Sequence, residues 1–192
     1  IPSINGEIPI RFYKYSNAKN SPVLVWFHGG GMVVGDLDSA DGIARFLCDG
    51  SQYSVVSVDY RLAPENKFPA ALEDCYNVTK WIYDHAEDFD TNQNQIAVGG
   101  DSAGGNLAAA VSIMSRDNKQ PHIAHQLLIY PMLDCDFTTK SYIENAEGYL
   151  LTQIAMKSYS DHYLNSESDK IIPYALPVQL TDYSNLPSAL II

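Results

Sequence analysis

The chain has 192 residues, of which 46% are hydrophobic, and this length and composition predict one soluble domain with a substantial core. Its formal net charge of −11 at pH 7 argues against nucleic acid and anionic membrane surfaces as partners. No apolar run approaches the roughly 18 residues that a membrane-spanning helix needs, so no membrane span is expected.

The three cysteines, Cys48, Cys75 and Cys135, are an odd number and lack the spacing of a metal site. Cys48 and Cys75 fall in helix-like segments, where we interpret them as buried packing residues. Unpaired cysteines fit a reducing compartment, and a cytoplasmic location is therefore expected. Because the first residue is Ile1 rather than Met, a removed leader is left open.

The first half of the chain alternates between strand-like and helix-like segments. Val23–Phe27 is a continuous apolar run, which is typical of a strand covered on both faces. The other elements predicted here are a strand over 8–15, a helix over 39–48 capped by Ser39 or Asp38, a buried strand over 54–58, and a helix from Pro69 to about Glu87.

Three consecutive glycines follow the strand Val23–Phe27, directly after His28. Such a run lowers the stability of the folded state through chain entropy and fills no core, which indicates that the backbone itself is used. Without a Cβ in the way, the amides of Gly30 and Gly31 can turn towards a substrate oxygen. A flexible loop is the alternative, but apolar segments flank the run on both sides.

Three charged residues, Asp59, Arg61 and Glu65, follow the strand over 54–58. They could serve catalysis. Charges this close together more often hold a loop through charge-assisted hydrogen bonds, and we favour that structural interpretation.

The segment Gly100–Gly104 has the pattern G-x-S-x-G between a short apolar run and a run of good helix formers. In such a turn the serine has a strained backbone, and the glycines let strand and helix approach closely. Ser102 would then lie at the positive end of the helix that follows. A chance match is the alternative, and the flanking strand and helix argue against it.

The second half continues the alternation of strands and helices. The predicted elements are the helix after Ser102 to about Arg116, a strand over 126–131, a helix over 152–164 capped by Thr152, a polar loop over 165–187 that lies over the site, and a strand over 188–192. This order predicts an α/β fold with a mainly parallel sheet. The segments 28–31, Asp59, Ser102 and Asp134 all follow strands directly, so they fall on the edge where α/β proteins bind ligands.

These positions suggest acyl chemistry. A serine that attacks an acyl carbon produces a tetrahedral oxyanion, and the amides of Gly30, Gly31 and Ala103 could bind it. We therefore expect Ser102 to be the nucleophile and these three amides to form the oxyanion hole.

Several motifs together resemble the hormone-sensitive-lipase-like branch of the α/β-hydrolases. They are His28-Gly29-Gly30-Gly31, Gly35-Asp36, residues 59–65, residues 68–74, residues 100–107, Tyr130-Pro131, residues 142–151 and residues 161–164. The resemblance implies an α/β-hydrolase fold, incomplete at both ends, in which 139–180 contributes to a cap. It also implies a carboxylesterase that hydrolyses small acyl esters through an acyl-serine at Ser102, with no metal and no cofactor.

The chain departs from this family in one respect, since the acid and the histidine of such enzymes follow the serine. Both are expected beyond residue 192, which makes the chain a fragment that is inactive alone; a complementing C-terminal segment and a homo-oligomer stay open.

One alternative is a triad within the chain, formed by Ser102, His162 and either Asp134 or Asp136. Others are a receptor-like binding protein without catalysis, and hydrolysis of amides or lactones. His122 and His125 are interpreted as solvent-exposed or structural.

Overall fold

A computed structural model describes residues 1–4, 6–15 and 20–192. The first half contains strands β1 (Pro2–Ser3), β2 (Gly6–Glu7), β3 (Ile10–Tyr13) and β4 (Val23–Phe27), helix α1 (Asp41–Ser51), strand β5 (Ser54–Val58) and helix α2 (Ala70–Asp84). The second half contains β6 (Ile96–Asp101), α3 (Ala103–Asn118), β7 (His125–Ile129), α4 (Lys140–Glu144), α5 (Gln153–Tyr163) and β8 (Ser188–Ile191). Short 3₁₀ helices cover Ala86–Phe89, Glu167–Ile171 and Pro177–Gln179.

The main sheet has six strands in the order β3-β5-β4-β6-β7-β8. Every neighbouring pair is parallel except β3 with β5, so the predicted α/β class with a mainly parallel sheet is confirmed. The register aligns Phe27 at the end of β4 with Gly100 near the end of β6. The glycines after β4 and the turn after β6 therefore leave the sheet side by side.

Helices cover both faces of the sheet. All residues of β4 and β5 are buried, which agrees with the uninterrupted apolar run of β4 and with the valines and small serines of β5. Val23, Val25 and Phe27 point into the larger core together with α2 and α3, whereas Leu24 and Trp26 pack with α1 on the other face. The central strands are thus fixed from both sides, and their ends form a rigid base for the loops above them.

Some predicted element ends differ from the structure. β3 is shorter than the predicted strand, and α1 begins at Asp41 with Ala40 at its N-cap, so the prediction of Ser39 or Asp38 as the cap was wrong. Ser39 instead exchanges hydrogen bonds with Asp36, its amide donating to the carboxylate (2.7 Å) and its hydroxyl accepting from the Asp36 amide (2.8 Å). Thr152 does cap α5, because its hydroxyl accepts from the Ala155 amide (3.2 Å).

The stretch predicted as a loop over 165–187 contains two of the 3₁₀ helices. Ala175 and Leu176 in it are buried in the larger core. This part of the chain therefore packs firmly onto the domain. Across the described ranges, no helix combines the length and the apolar character needed to cross a bilayer.

Candidate active site

Ser102 forms a one-residue turn between β6 and α3. Its φ of +52° lies in a region that non-glycine residues rarely adopt, and the neighbouring backbone holds it there. The Ser102 amide donates to the Ile129 carbonyl (2.9 Å), and the Ser102 carbonyl accepts from the Met132 amide (3.1 Å). The hydroxyl is partly exposed and makes no hydrogen bond to any residue that the structure describes. A fixed backbone thus presents a free hydroxyl.

Two glycines allow the turn to be this tight. A Cβ placed at Gly104 would lie 1.9 Å from the Phe27 carbonyl oxygen, and one at Gly100 would lie 2.3 Å from the Gly104 backbone. Both distances are far inside van der Waals contact, and both obstacles are backbone that cannot rotate away. The start of α3 therefore rests directly on the end of β4.

We expect Gly104→Ala to lower the free energy of unfolding by about 1–3 kcal/mol, because the added methyl group forces α3 away from β4. Gly42→Ala is the matched control, since a Cβ at this position in α1 meets nothing within 4 Å. Alanine there should stabilise the protein by about 0.5–1 kcal/mol. Urea unfolding measures both, and equal effects of the two variants would contradict the close approach at Gly104.

The glycine loop, defined as residues 29–31, has a backbone that other residues would not adopt. The φ angles of Gly30 and Gly31 are +121° and +65°, and a Cβ at Gly30 would lie 2.0 Å from the Val34 carbonyl oxygen. The amides of Val33 and Val34 both donate to the Gly30 carbonyl (3.0 Å each). The amides of Gly30 and Gly31 donate to no acceptor within the described part of the chain, so they are free to bind a ligand.

A hydrogen bond connects this loop with the turn at Ser102. The Gly29 amide donates to the Asp101 carboxylate (3.0 Å), and burial raises the pKa of that carboxyl above its ordinary value. Ala103 is the first residue of α3, so its amide has no carbonyl to bind within the helix. Three unused donors and one hydroxyl therefore belong to two neighbouring, connected loops.

His28 serves the shape of the loop. It is buried, its ring stacks on Tyr60 with the ring centroids 4.3 Å apart, and Nδ1 donates to the Gly29 carbonyl (2.7 Å). The Tyr60 hydroxyl donates to the His28 carbonyl (2.6 Å). None of these bonds reaches Ser102, so His28 has a structural role.

Asn106 is a buried residue whose importance the sequence did not reveal. Its side-chain amide donates to the carbonyls of Met132 (2.8 Å) and Ala175 (3.0 Å). These carbonyls come from the segment after β7 and from the stretch between the two later 3₁₀ helices. Asn106 thereby fixes two distant segments against the first turn of α3. The motif Gly105-Asn106 was visible, but its partners are separated from it by 26 and 69 residues.

The charged loop after β5 is held as predicted, although by a different partner. Arg61 binds the carboxylate of Asp74 through Nε and Nη2 (2.8 Å each), and its backbone amide donates to the same carboxylate (3.0 Å). Asp74 lies on α2 and is buried, whereas Asp59 and Glu65 do not pair with Arg61. The structural interpretation is therefore confirmed for Arg61, with Asp74 as its acidic partner, and not for Asp59 and Glu65.

Helix α5 forms a wall beside the glycine loop. A Cβ at Gly31 would lie 2.4 Å from the Tyr159 ring, so this ring rests directly on the glycine. The loop after β5 holds the C-terminal end of α5, because Lys67 Nζ donates to the carbonyls of Asp161 (3.0 Å) and Leu164 (2.8 Å). The charged loop and the glycine loop thus share α5 as a common neighbour.

The structure does not bring together the alternative triad within the chain. His162 Nδ1 donates to the Ser158 carbonyl on its own helix (2.6 Å), Asp134 accepts from the Cys135 amide (2.7 Å), and Asp136 accepts from Thr138. In the described residues, neither these groups nor any other histidine hydrogen-bonds to Ser102. The same residues contain no cluster of His, Cys, Asp and Glu arranged for a metal ion.

The other histidines and cysteines agree with the structural interpretation. His125 bonds to the Ser188 hydroxyl (2.8 Å) where β7 and β8 begin, at the sheet edge opposite to Ser102, and His122 is exposed. Cys48 and Cys75 are buried, and burial raises the pKa of both thiols.

Comparisons with known proteins agree with this geometry. The model of a family described as having the α/β hydrolase fold matches residues 24–192. The chain is 41% identical to the carboxylic ester hydrolase LipN of Mycobacterium tuberculosis, covering 100% of this chain and 52% of LipN. It is 38% identical to an arylesterase of Saccharolobus solfataricus, covering 97% of this chain and 61% of that enzyme. The chain thus spans between about half and three fifths of the length of these relatives.

Solved structures of esterases are similar as well. A hyperthermophilic esterase from Pyrobaculum calidifontis superposes with a TM-score of 0.95 at 42% identity, over 100% of this chain and 62% of that one. The thermostable carboxylesterase EstE1 from a metagenomic library gives a TM-score of 0.94 at 41% identity, over 98% of this chain and 65% of that one. The fold and the family of these proteins therefore extend over essentially the whole chain.

Proposed function

Because this chain belongs to the α/β-hydrolase family, as its motifs predicted, we propose that it is the nucleophile-bearing part of a serine carboxylesterase acting on small acyl esters. The observation that carries the proposal is the combination at one sheet edge of an unbonded serine hydroxyl and three unused backbone amides. The relatives reported above, which are esterases and carboxylic ester hydrolases, support the same class of reaction.

The proposed reaction has two halves. Ser102 Oγ attacks the ester carbon while a histidine takes its proton, and the amides of Gly30, Gly31 and Ala103 bind the oxyanion. The carbon–oxygen bond to the alcohol then breaks, the alcohol leaves with the proton from the histidine, and an acyl-serine remains. Water, deprotonated by the same histidine, adds to the acyl carbon, and the acid leaves as Ser102 recovers its proton.

The histidine and its acid partner are proposed to come from outside residues 1–192. This part of the proposal rests on the histidines of the chain. His28, His85, His125 and His162 bond to other groups, and the exposed His122 makes no hydrogen bond to Ser102 in the described residues. It follows that residues 1–192 alone would hydrolyse esters only weakly, through binding and the oxyanion amides.

We also propose that residues 1–192 form a single domain in which 139–180 contributes to a cap. The proposal is supported by Tyr159 of α5, which contacts the glycine loop directly. It is also supported by the apolar side chains of the segment around α4 and α5, since Ile143, Leu150 and Ile154 are largely exposed. Such side chains suit contact with an apolar acyl chain or with another part of the cap.

The test is the reaction of the full protein with a fluorophosphonate, followed by peptide mass spectrometry. We expect one label per chain, on Ser102, and a burst of alcohol release with a p-nitrophenyl ester. Labelling of any other residue would contradict the assignment. A protein that binds esters but shows neither labelling nor turnover would instead be the receptor-like alternative.

A further inference from the structure

Asp101 is the residue directly before Ser102, and its carboxylate rests against the start of the glycine loop. Oδ1 accepts the Gly29 amide (3.0 Å), and Oδ2 is so close that a Cβ at Gly29 would lie 2.3 Å from it. Both carboxylate oxygens therefore lie at Gly29. The backbone that fixes Ser102 also fixes Asp101, because the two residues are adjacent at the end of β6.

The surroundings of the Asp101 carboxylate indicate a role other than stabilising the fold. Asp101 is partly buried and forms no ion pair with a described Lys or Arg, so it loses solvation without a counter-charge. The titratable groups that face it are His28 at the end of β4 and Tyr60 after β5. His28 is already bound to the Gly29 carbonyl and Tyr60 to the His28 carbonyl. The hydrogen bond that the Asp101 carboxylate accepts from another residue thus comes from the Gly29 amide.

The position of that amide matters because its bond to Asp101 joins the glycine loop to the turn of Ser102. Gly30 and Gly31 have positive φ angles, which a glycine-rich chain can leave easily, and they have no side chains to pack. The other hydrogen bonds of the loop come from His28, Val33 and Val34, and just beyond it the Ala63 amide donates to the Met32 carbonyl (2.8 Å). None of these bonds reaches the turn of Ser102, whereas the bond from Gly29 to Asp101 does.

We propose that Asp101 is a positioning residue, which holds the glycine loop against the turn of Ser102 so that the Gly30, Gly31 and Ala103 amides converge on one oxyanion. The inference rests on the proposed esterase function. Asp101 touches no substrate in this scheme and acts only through Gly29.

The first test compares Asp101→Ala with Asp101→Asn in the full protein. Alanine removes the acceptor, and we expect kcat to fall roughly 10- to 100-fold, a fraction of the loss known for deleting an oxyanion donor outright. KM should change less than about twofold, because the displaced amides act mainly in the transition state. Asparagine keeps an oxygen at Oδ1 and should restore kcat to within about threefold of the wild type.

The second test is a double-mutant cycle with Gly29→Ala. In the wild type the new methyl group collides with Asp101 Oδ2, whereas in Asp101→Ala that oxygen is absent. We therefore expect Gly29→Ala to lower kcat clearly in the wild type and by less than about twofold in the Asp101→Ala background. Additive effects would overturn the proposal. If Asp101→Ala does not fold, Asp101→Asn still tests the proposal, because a folded Asp101→Asn variant whose kcat falls well beyond threefold would overturn it.

Asp182→Ala is the matched control, because this exposed carboxylate also accepts a backbone amide, that of Ser184 (2.9 Å), at a distance from the site. It should leave kcat unchanged. Fluorophosphonate should label Ser102 fully but more slowly in Asp101→Ala. A wild type that is not labelled at Ser102 would overturn the esterase function, whereas a labelled wild type with unchanged kcat in Asp101→Ala would overturn the positioning role alone.

Discussion

Replacing Ser102 by alanine is expected to lower kcat for ester hydrolysis by about 10⁶-fold, the scale known for nucleophile removal in serine hydrolases. The variant keeps the free amides of Gly30 and Gly31, which lie in a different loop. Substrate binding should therefore survive, and a non-hydrolysable ester analogue should bind Ser102→Ala with nearly the affinity of the wild type. Initial rates with a p-nitrophenyl ester, normalised to folded protein, measure the effect.

The control is Ser51→Ala, which removes a hydroxyl at the end of α1 that donates to the Leu47 carbonyl and accepts from the Tyr53 amide. It should retain full activity. If Ser102→Ala kept more than roughly a hundredth of the wild-type rate, another nucleophile would have to be present, and the role of Ser102 would be wrong.

The largest effect on stability is expected for Arg61→Ala. This change leaves the buried carboxylate of Asp74 without its two guanidinium bonds, and breaking such a buried pair typically costs about 3–5 kcal/mol. The loop that Arg61 anchors also binds the end of α5 through Lys67, so activity should fall together with stability. Urea unfolding gives the free energy, and ester kinetics give the activity.

Two further variants separate the ion pair from a general surface effect. Arg45→Ala removes an exposed partner of Asp41 within α1 and should cost only about 0.3–0.5 kcal/mol. The double variant Arg61→Ala with Asp74→Ala removes both charges, and we expect it to be clearly more stable than the sum of the single effects predicts. Strict additivity would show that the two side chains do not act as a pair.

Local sequence patterns predicted much of the fold. Val23–Phe27 and 54–58 were predicted with their observed bounds, because strands buried on both faces are rich in apolar residues and Ser54 and Ser57 are small enough to be buried among them. The turn at Ser102 was predictable for a similar reason, since its glycines are needed within five residues of one another. Each of these features is determined by residues that lie close together in the sequence.

The contacts that complete the site were not predictable, because they join distant segments. Asp101 was visible only as a variable position of the serine motif, and its role depends on Gly29, which is 72 residues away. Tyr159 was one more apolar residue of a helix until the structure placed its ring on Gly31. The prediction of the α1 cap was wrong for a local reason, since Ser39 can instead form its hydrogen bonds with Asp36 in the preceding turn.

The contact between Tyr159 and Gly31 has a consequence for directed evolution. A library that shortens the side chain at residue 159 to admit bulkier esters would also remove the ring that rests on the glycine loop, so we expect a broader substrate range to come with slower turnover. Randomising Ile154 at the exposed start of α5 would alter the same helix without touching that loop. Screens for new substrates should therefore begin there.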